Sequence, residues 1–302
     1  MELFTNQWEF AKTPFGTGLE ELSAYEDKFE RVDLPHDWLI YDTLNLYETS
    51  TGWYRKKFTV KKDAEKVYSI RFDGVYMDSK VYINGTLLGE WKYGYSTFEF
   101  DMTNLLKDGE NTMMVRIDHH EPNSRWYSGA GIYRPVVLWT ADRQQHIALN
   151  GVRIRTVSIN PAMVEVAVRT VGAGRVSVDV LAGEKQAASA AADTTGEVTL
   201  TLTVPNAKLW DVEHPNLYTC RVRFGSDEDL QTFGIRTLSW GKKGILLNGE
   251  RVIVQGACIH HDQGILGARC YAQGEERRVR LLKENGYNAV RSAHNPCPKA
   301  LL

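Results

Sequence analysis

Across residues 1–140 the apolar positions recur at every second residue rather than every third or fourth. Tyr68, Ile70 and Phe72 share one face of the stretch 67–72, and Phe98 and Phe100 alternate again. A period of two is the signature of a half-buried strand. Asn84-Gly85 stands between the runs 79–83 and 86–88. A two-residue type I′ turn needs positive φ at both positions, and Asn-Gly supplies it, so the pair predicts a hairpin. Residues 107–111 read as another turn and 112–117 as another strand. No ten-residue window here has helical periodicity, and an antiparallel β-sandwich is the expected architecture.

A second β region follows over 143–238. The stretches 152–159, 163–171, 175–181, 197–204, 218–224 and 230–235 are strand-like and are interrupted by Gly, Pro, Asn or Asp. Roughly seven short strands in ~95 residues predict an immunoglobulin-like sandwich. The small, polar stretch 186–192 is expected to be a surface loop.

The pattern changes after Trp240. Residues 244–252, with Asn248-Gly249 at the bend, predict a hairpin. The near-continuous apolar run 252–258 predicts a strand buried on both faces. Residues 275–285 read as a helix, with Glu275 and Glu276 in the first turn, Lys283 near the end and Gly286 as the C′ residue. Residues 288–292 read as the next strand. Pro298-Lys299-Ala300-Leu301-Leu302 reads as the start of another helix. One and a half βα units do not cover both faces of a parallel sheet, so the chain is expected to be the front part of a longer polypeptide.

Composition narrows the function classes. The 302 residues carry 36 Lys plus Arg against 38 Asp plus Glu, a net charge of −2. That balance argues against a nucleic-acid or anionic-membrane partner, either of which favours a basic face. No apolar run approaches the ~20 residues of a membrane-spanning helix. Met1-Glu2-Leu3-Phe4 has neither a basic n-region nor an apolar h-region, so no signal peptide is expected. Cys220, Cys258, Cys270 and Cys297 are far apart, without a CxxC pair. A reducing, cytoplasmic setting fits them better than a disulfide scaffold or a zinc ribbon. The 8 Trp, 14 Tyr and 10 Phe fit a β-rich core.

Two polar clusters follow the two strands of the last segment. His260-His261-Asp262 is one; Arg291-Ser292-Ala293-His294-Asn295-Pro296 is the other. Loops at the carboxyl ends of parallel strands are where α/β barrels build their sites. Adjacent residues on an extended strand point to opposite faces, so His260 and His261 are not expected to share a metal, nor are His119 and His120. No Gly-x-Ser-x-Gly elbow, GxGxxG turn or P-loop is present.

Taken in order, these segments resemble glycoside hydrolase family 2, in its β-galactosidase-like branch. The resemblance is carried by Leu34-Pro35-His36-Asp37-Trp38, Gly52-Trp53-Tyr54-Arg55-Lys56, Phe72-Asp73-Gly74-Val75 and Val81-Tyr82-Ile83-Asn84-Gly85. It continues through the run from Ser124-Arg125-Trp126-Tyr127 to Gly131-Ile132-Tyr133-Arg134, Leu209-Trp210 with Asn216-Leu217-Tyr218, and Phe233-Gly234-Ile235-Arg236. Leu247-Asn248-Gly249, Gly256-Ala257-Cys258-Ile259-His260-His261-Asp262 and Asn288-Ala289-Val290-Arg291 with His294-Asn295-Pro296 complete it. The resemblance implies a jelly-roll sugar-binding-like domain over 1–142, an immunoglobulin-like sandwich over 143–238 and the first strands and helix of a (β/α)8 barrel over 239–302.

It also implies a retaining exo-β-glycosidase, most simply one acting on terminal β-galactosides. Such enzymes need an acid/base and a nucleophile carboxylate ~5–5.5 Å apart. The family places both as glutamates on later barrel strands, the acid/base in an Asn-Glu pair. No such pair follows His294, so both are expected beyond Leu302 and this chain is expected to be inactive alone. The substrate side carries over. His294 matches the family's sugar-contacting histidine, with Arg291 and Asn295 supporting it and His261 and Asp262 on the same edge. No cofactor is expected in this chain, any divalent or sodium ion belonging to the rest of the barrel. The expected partners are a carbohydrate substrate and further copies of the full-length protein. The alternative is a non-catalytic carbohydrate-binding or assembly module, with Trp91, Tyr93 and Tyr95 as stacking aromatics.

Overall fold

The computed structural model describes residues 1–242 and 244–302, which form two compact units. The first comprises Met1–Thr140 together with Gly256–Leu302, and the second Ala141–Gln255.

In the first unit two antiparallel sheets enclose an aromatic core. The six-stranded sheet runs in the order Glu30–Val32, Trp8–Thr13, Ser50–Val60, Gly109–His119, Ser79–Ile83, Thr86–Trp91. The four-stranded sheet is ordered Glu2–Leu3, Val136–Asp142, Lys66–Phe72, Phe98–Asp101. The expected alternation holds: Tyr68, Ile70 and Phe72 are buried and pack with Trp8, Tyr54, Ile83, Met113 and Ile117. Each such side chain contributes roughly 1.5–3 kcal/mol by leaving water. The Asn84-Gly85 hairpin forms as expected, with φ of 51° and 81° and Ile83 paired to Thr86. A 3-10 segment at Leu19–Lys28 had no helical signature in the sequence, because it buries a single residue, Leu22, against Trp53 and Met114.

The second unit holds a three-stranded sheet (His146–Ile159, Ala162–Val171, Glu197–Thr203) and a four-stranded one (Lys185–Thr194, Gly174–Ala182, Tyr218–Phe224, Asp227–Phe233). Their valine-rich inner faces meet: Val164, Val166 and Val168 pack with Val176, Val178, Val180, Val222 and Phe224. Stretch 186–192 departs from expectation. It is part of an edge strand, Lys185–Thr194, in register with Val176–Val180 through Ala188, Ala190 and Ala192. Alanine has a poor strand propensity, but pairing to a strong central strand overrides it. A separate three-stranded meander, Leu238–Gly241, Gly244–Leu247 and Glu250–Val252, also lies in this unit. Asn248 and Gly249 make its second bend with φ of 52° and 87°.

Residues 256–302 form a βα unit and its next strand: Gly256–Ile259, helix Ala272–Glu284, and Ala289–Ser292 parallel to the first. The run 252–258 is not one doubly buried strand. It breaks at 253–255, its two ends belong to different sheets, and Ile253 and Val254 are exposed. Two parallel strands with one helix cover too little of the sheet to bury it on both faces. Among the described residues no helix is long and apolar enough to cross a membrane.

Candidate functional site

The parallel register sets the site. Cys258 lies opposite Arg291 and Ile259 opposite Ser292. The amide of Ala293 donates to the carbonyl of Ile259 at 2.9 Å. Both polar loops therefore leave the sheet at the same edge, and the rings of His260 and His294 meet edge to face, 5.8 Å apart. Trp126, from the first sandwich, packs against both, at 4.9 Å from His260 and 5.9 Å from His294.

His294 is exposed, and its Nδ1 lies 2.7 Å from Nη1 of Arg291. A guanidinium can only donate, so Nδ1 is the acceptor and the proton sits on Nε2. The result is an imidazole N–H facing solvent, ready to donate to an oxygen of a ligand. The same guanidinium also reaches Sγ of Cys258 at 3.6 Å.

The loop carrying His294 is tied on both sides. Oγ of Ser292 donates to the Asn295 carbonyl at 2.7 Å. The Tyr93 hydroxyl donates to Oδ1 of Asn295 at 2.8 Å. Arg134, buried, donates through Nη2 to the Pro296 carbonyl and through Nη1 to that of Tyr95, both at 2.9 Å. The helix holds the other loop: Arg278 donates to the carbonyls of His260 and Asp262.

His261 points elsewhere. Its Nε2 donates to the Ser128 carbonyl at 2.8 Å, and its ring abuts Tyr95 and Tyr133. Burial lowers its pKa, although the Ser128 bond opposes the shift. Asp262 and His260 line a cavity of about 820 Å³ with Gln263, Arg277, Arg278 and Leu281. The structure thus brings together Arg291, His294 and Asn295, with His260 beside them. It engages His261 with the sandwich and sets Asp262 on the helix side. Among the described residues no group of three or more His, Cys, Asp and Glu is placed to hold a metal ion.

Asp37, in the Leu34–Trp38 motif, anchors the βα segment. Its buried carboxylate accepts from the amides of Leu39 (3.2 Å), Ala130 (3.0 Å) and Ala268 (2.8 Å) and from the Tyr127 hydroxyl (2.6 Å). Burial and the adjacent carboxylate push the Tyr127 phenol far up, so it stays a donor. Of the three proposed stacking aromatics, Tyr95 is buried and Trp91 stacks on Phe98 at 5.5 Å. Tyr93 bonds Asn295, and Tyr95 abuts His261 and accepts from Nε1 of Trp126 at 3.1 Å.

Two β-sandwiches are followed along the chain by a βα unit that presents His294 beside Trp126. The family model described as the family 2 sugar binding domain of glycosyl hydrolases matches residues 30–142, and the model described as glycosyl hydrolases family 2 matches residues 145–236. The chain belongs to glycoside hydrolase family 2. It is 38% identical to beta-galactosidase BoGH2A of Bacteroides ovatus, over 99% of this chain and 39% of that protein. It is 29% identical to a beta-glucuronidase of Bacteroides fragilis, over 88% of this chain and 43% of that protein. Among solved structures, a family 2 member from Bacteroides cellulosilyticus superposes with a TM-score of 0.91 at 30% identity, covering 99% of this chain and 45% of that one. A beta-glycosidase from Bacteroides vulgatus gives 0.89 at 30% identity, covering 99% and 42%. The chain thus spans less than half the length of these relatives.

Proposed function

We propose that residues 1–302 are the front part of a retaining exo-β-glycosidase that removes terminal β-galactosyl units. In this reading the chain supplies the substrate-positioning side of the site. The acid/base and nucleophile glutamates lie in a part of the polypeptide outside this stretch. The observation that carries the reading is the Nε2–H of His294, fixed by Arg291 and turned to solvent. A donor locked in one tautomer, backed by Trp126, suits a sugar hydroxyl. Arg291 and Asn295 support that loop, His261 ties the neighbouring one to the Ser128 carbonyl, and Asp262 lines the cavity beside it.

Two carboxylates of the first unit are held by its own groups. Asp37 is saturated with donors, and Glu275 is buried and bonded to Gln263 at 2.8 Å. Neither is free to protonate a leaving group or attack an anomeric carbon. Galactoside is preferred over glucuronide on the 38% identity to beta-galactosidase BoGH2A, against 29% to the Bacteroides fragilis beta-glucuronidase. A cytoplasmic, homo-oligomeric enzyme completes the proposal.

The test is a panel of nitrophenyl β-glycosides offered to a polypeptide that extends this chain to the length of its relatives. β-Galactoside turnover is expected, and His294→Ala is expected to lower kcat/KM by about 100-fold, within the range for loss of a transition-state donor. Preference for the glucuronide overturns the sugar assignment. An unchanged kcat/KM in His294→Ala overturns the role of His294.

A further inference from the structure

We infer that Tyr93, a residue of the first sandwich, is a positioning residue for His294 and acts through the carboxamide of Asn295. The inference rests on the reading of His294 as a sugar-contacting donor. Tyr93 follows the edge strand Thr86–Trp91, and its ring lies edge-on to Tyr95 at 5.8 Å. Its hydroxyl reaches across 202 positions of sequence to Asn295. Oδ1 of Asn295 takes that bond while Nδ2 is enclosed without a hydrogen-bond partner. The carboxamide is therefore held from the Tyr93 side.

His294 stands between two immobilised neighbours. Upstream, Arg291 lies on the strand and Ser292 closes onto the Asn295 carbonyl. Downstream, Pro296 is held by Arg134. The Asn295 side chain is the remaining degree of freedom next to the imidazole, and Tyr93 is its anchor. Releasing it frees the Asn295 carboxamide beside the imidazole, and the Arg291–Nδ1 contact that fixes the tautomer loosens with it. A group placed to better than about 1 Å by such contacts loses much of its effect when they go. A Tyr that served only to cover surface would not be tied to the one loop that carries the donor.

The experiment reads the imidazole directly. Long-range ¹H–¹⁵N spectra of the 302-residue chain are recorded for the parent, Tyr93→Phe, Asn295→Ala and the double variant. The parent is expected to show His294 in the single Nε2–H tautomer. Tyr93→Phe and Asn295→Ala are each expected to convert it to an averaged pattern, and the double variant to add nothing, because both cut the same tether. A His294 pattern in Tyr93→Phe identical to the parent's overturns the inference. So does a change seen in Tyr93→Phe but absent from Asn295→Ala. In the extended polypeptide, Tyr93→Phe is expected to lower kcat/KM about tenfold. If no glycoside is turned over by the parent, the proposed function fails while the spectra still decide the tether.

Discussion

Asp37 is the most informative single position in the first unit, because one buried carboxylate holds three separated pieces of chain. Oδ1 accepts from Leu39 and Ala130, and Oδ2 accepts from Tyr127 and Ala268. Asp37→Asn keeps the shape and replaces one oxygen by an amino group. Placing that group at Oδ1 sets it against two backbone N–H donors. Placing it at Oδ2 sets it against one, since the Tyr127 hydroxyl can turn and accept. The second arrangement wins, and the loss concentrates at the Ala268 amide. A hydrogen bond to a charged group contributes about 1.5–3 kcal/mol, so Asp37→Asn should cost roughly 2 kcal/mol. Asp37→Ala strands four donors at a site with 0% exposure and should cost about 4 kcal/mol. Urea unfolding gives the magnitudes, and amide hydrogen exchange at Ala268 gives the location. The amide should exchange faster in Asp37→Asn while the strand amides of Ser50–Val60 keep their protection. A change below 0.5 kcal/mol (about the scatter of surface substitutions), or unchanged exchange at Ala268, would refute the reasoning.

Three further outcomes follow from the same packing. Gly267 sits at φ +61°, and an added Cβ would lie 2.2 Å from Cγ2 of Ile40 and 2.4 Å from Oδ2 of Asp37; Gly267→Ala should cost at least about 2 kcal/mol in a urea titration. Burial, then the charge of Arg269, lowers the pKa of His36 from 6.5 to about 4. The unfolded chain therefore binds a proton that the folded chain refuses between pH 6.5 and 4. Stability should be full above that window and fall by up to about 3 kcal/mol across it, a fall that urea midpoints measured from pH 7 down will show and that His36→Gln should flatten. In the second unit Phe224 is 1% exposed within the valine core, and Phe224→Ala should cost about 3–5 kcal/mol by chemical unfolding.

Hairpins and sandwich strands were legible because their signals are local. Asn84-Gly85 and Asn248-Gly249 specify their turns by backbone sterics alone, and 67–72 announces its buried face by alternation. The edge strand Lys185–Thr194 was not legible, since its place depends on a partner strand and not on its own alanines. The apolar run 252–258 misled for the opposite reason: its composition suits a doubly covered strand, and coverage is a property of neighbours. In the candidate site, the loop ends at 260–262 and 291–296 could be found from strand–helix–strand order. The roles of Tyr93, Trp126, Arg134 and Asp37 could not, because each acts across 100 or more residues (Trp126 to His260 and Tyr93 to Asn295 among them). Their sequence traces are the motifs around 34–38 and 124–134 and, for Tyr93, the aromatic positions at 91, 93 and 95. His261 shows the limit of adjacency, as neighbours on a strand take opposite partners.

The most direct measurement of the central claim compares the 302-residue chain with the same chain extended to the length of its relatives. Both are given nitrophenyl β-galactoside, and the anomer first released is read by NMR. The account predicts no turnover by the chain alone, and turnover by the extended polypeptide with β-galactose formed first. Hydrolysis by the 302-residue chain, or release of the α-anomer, would contradict it.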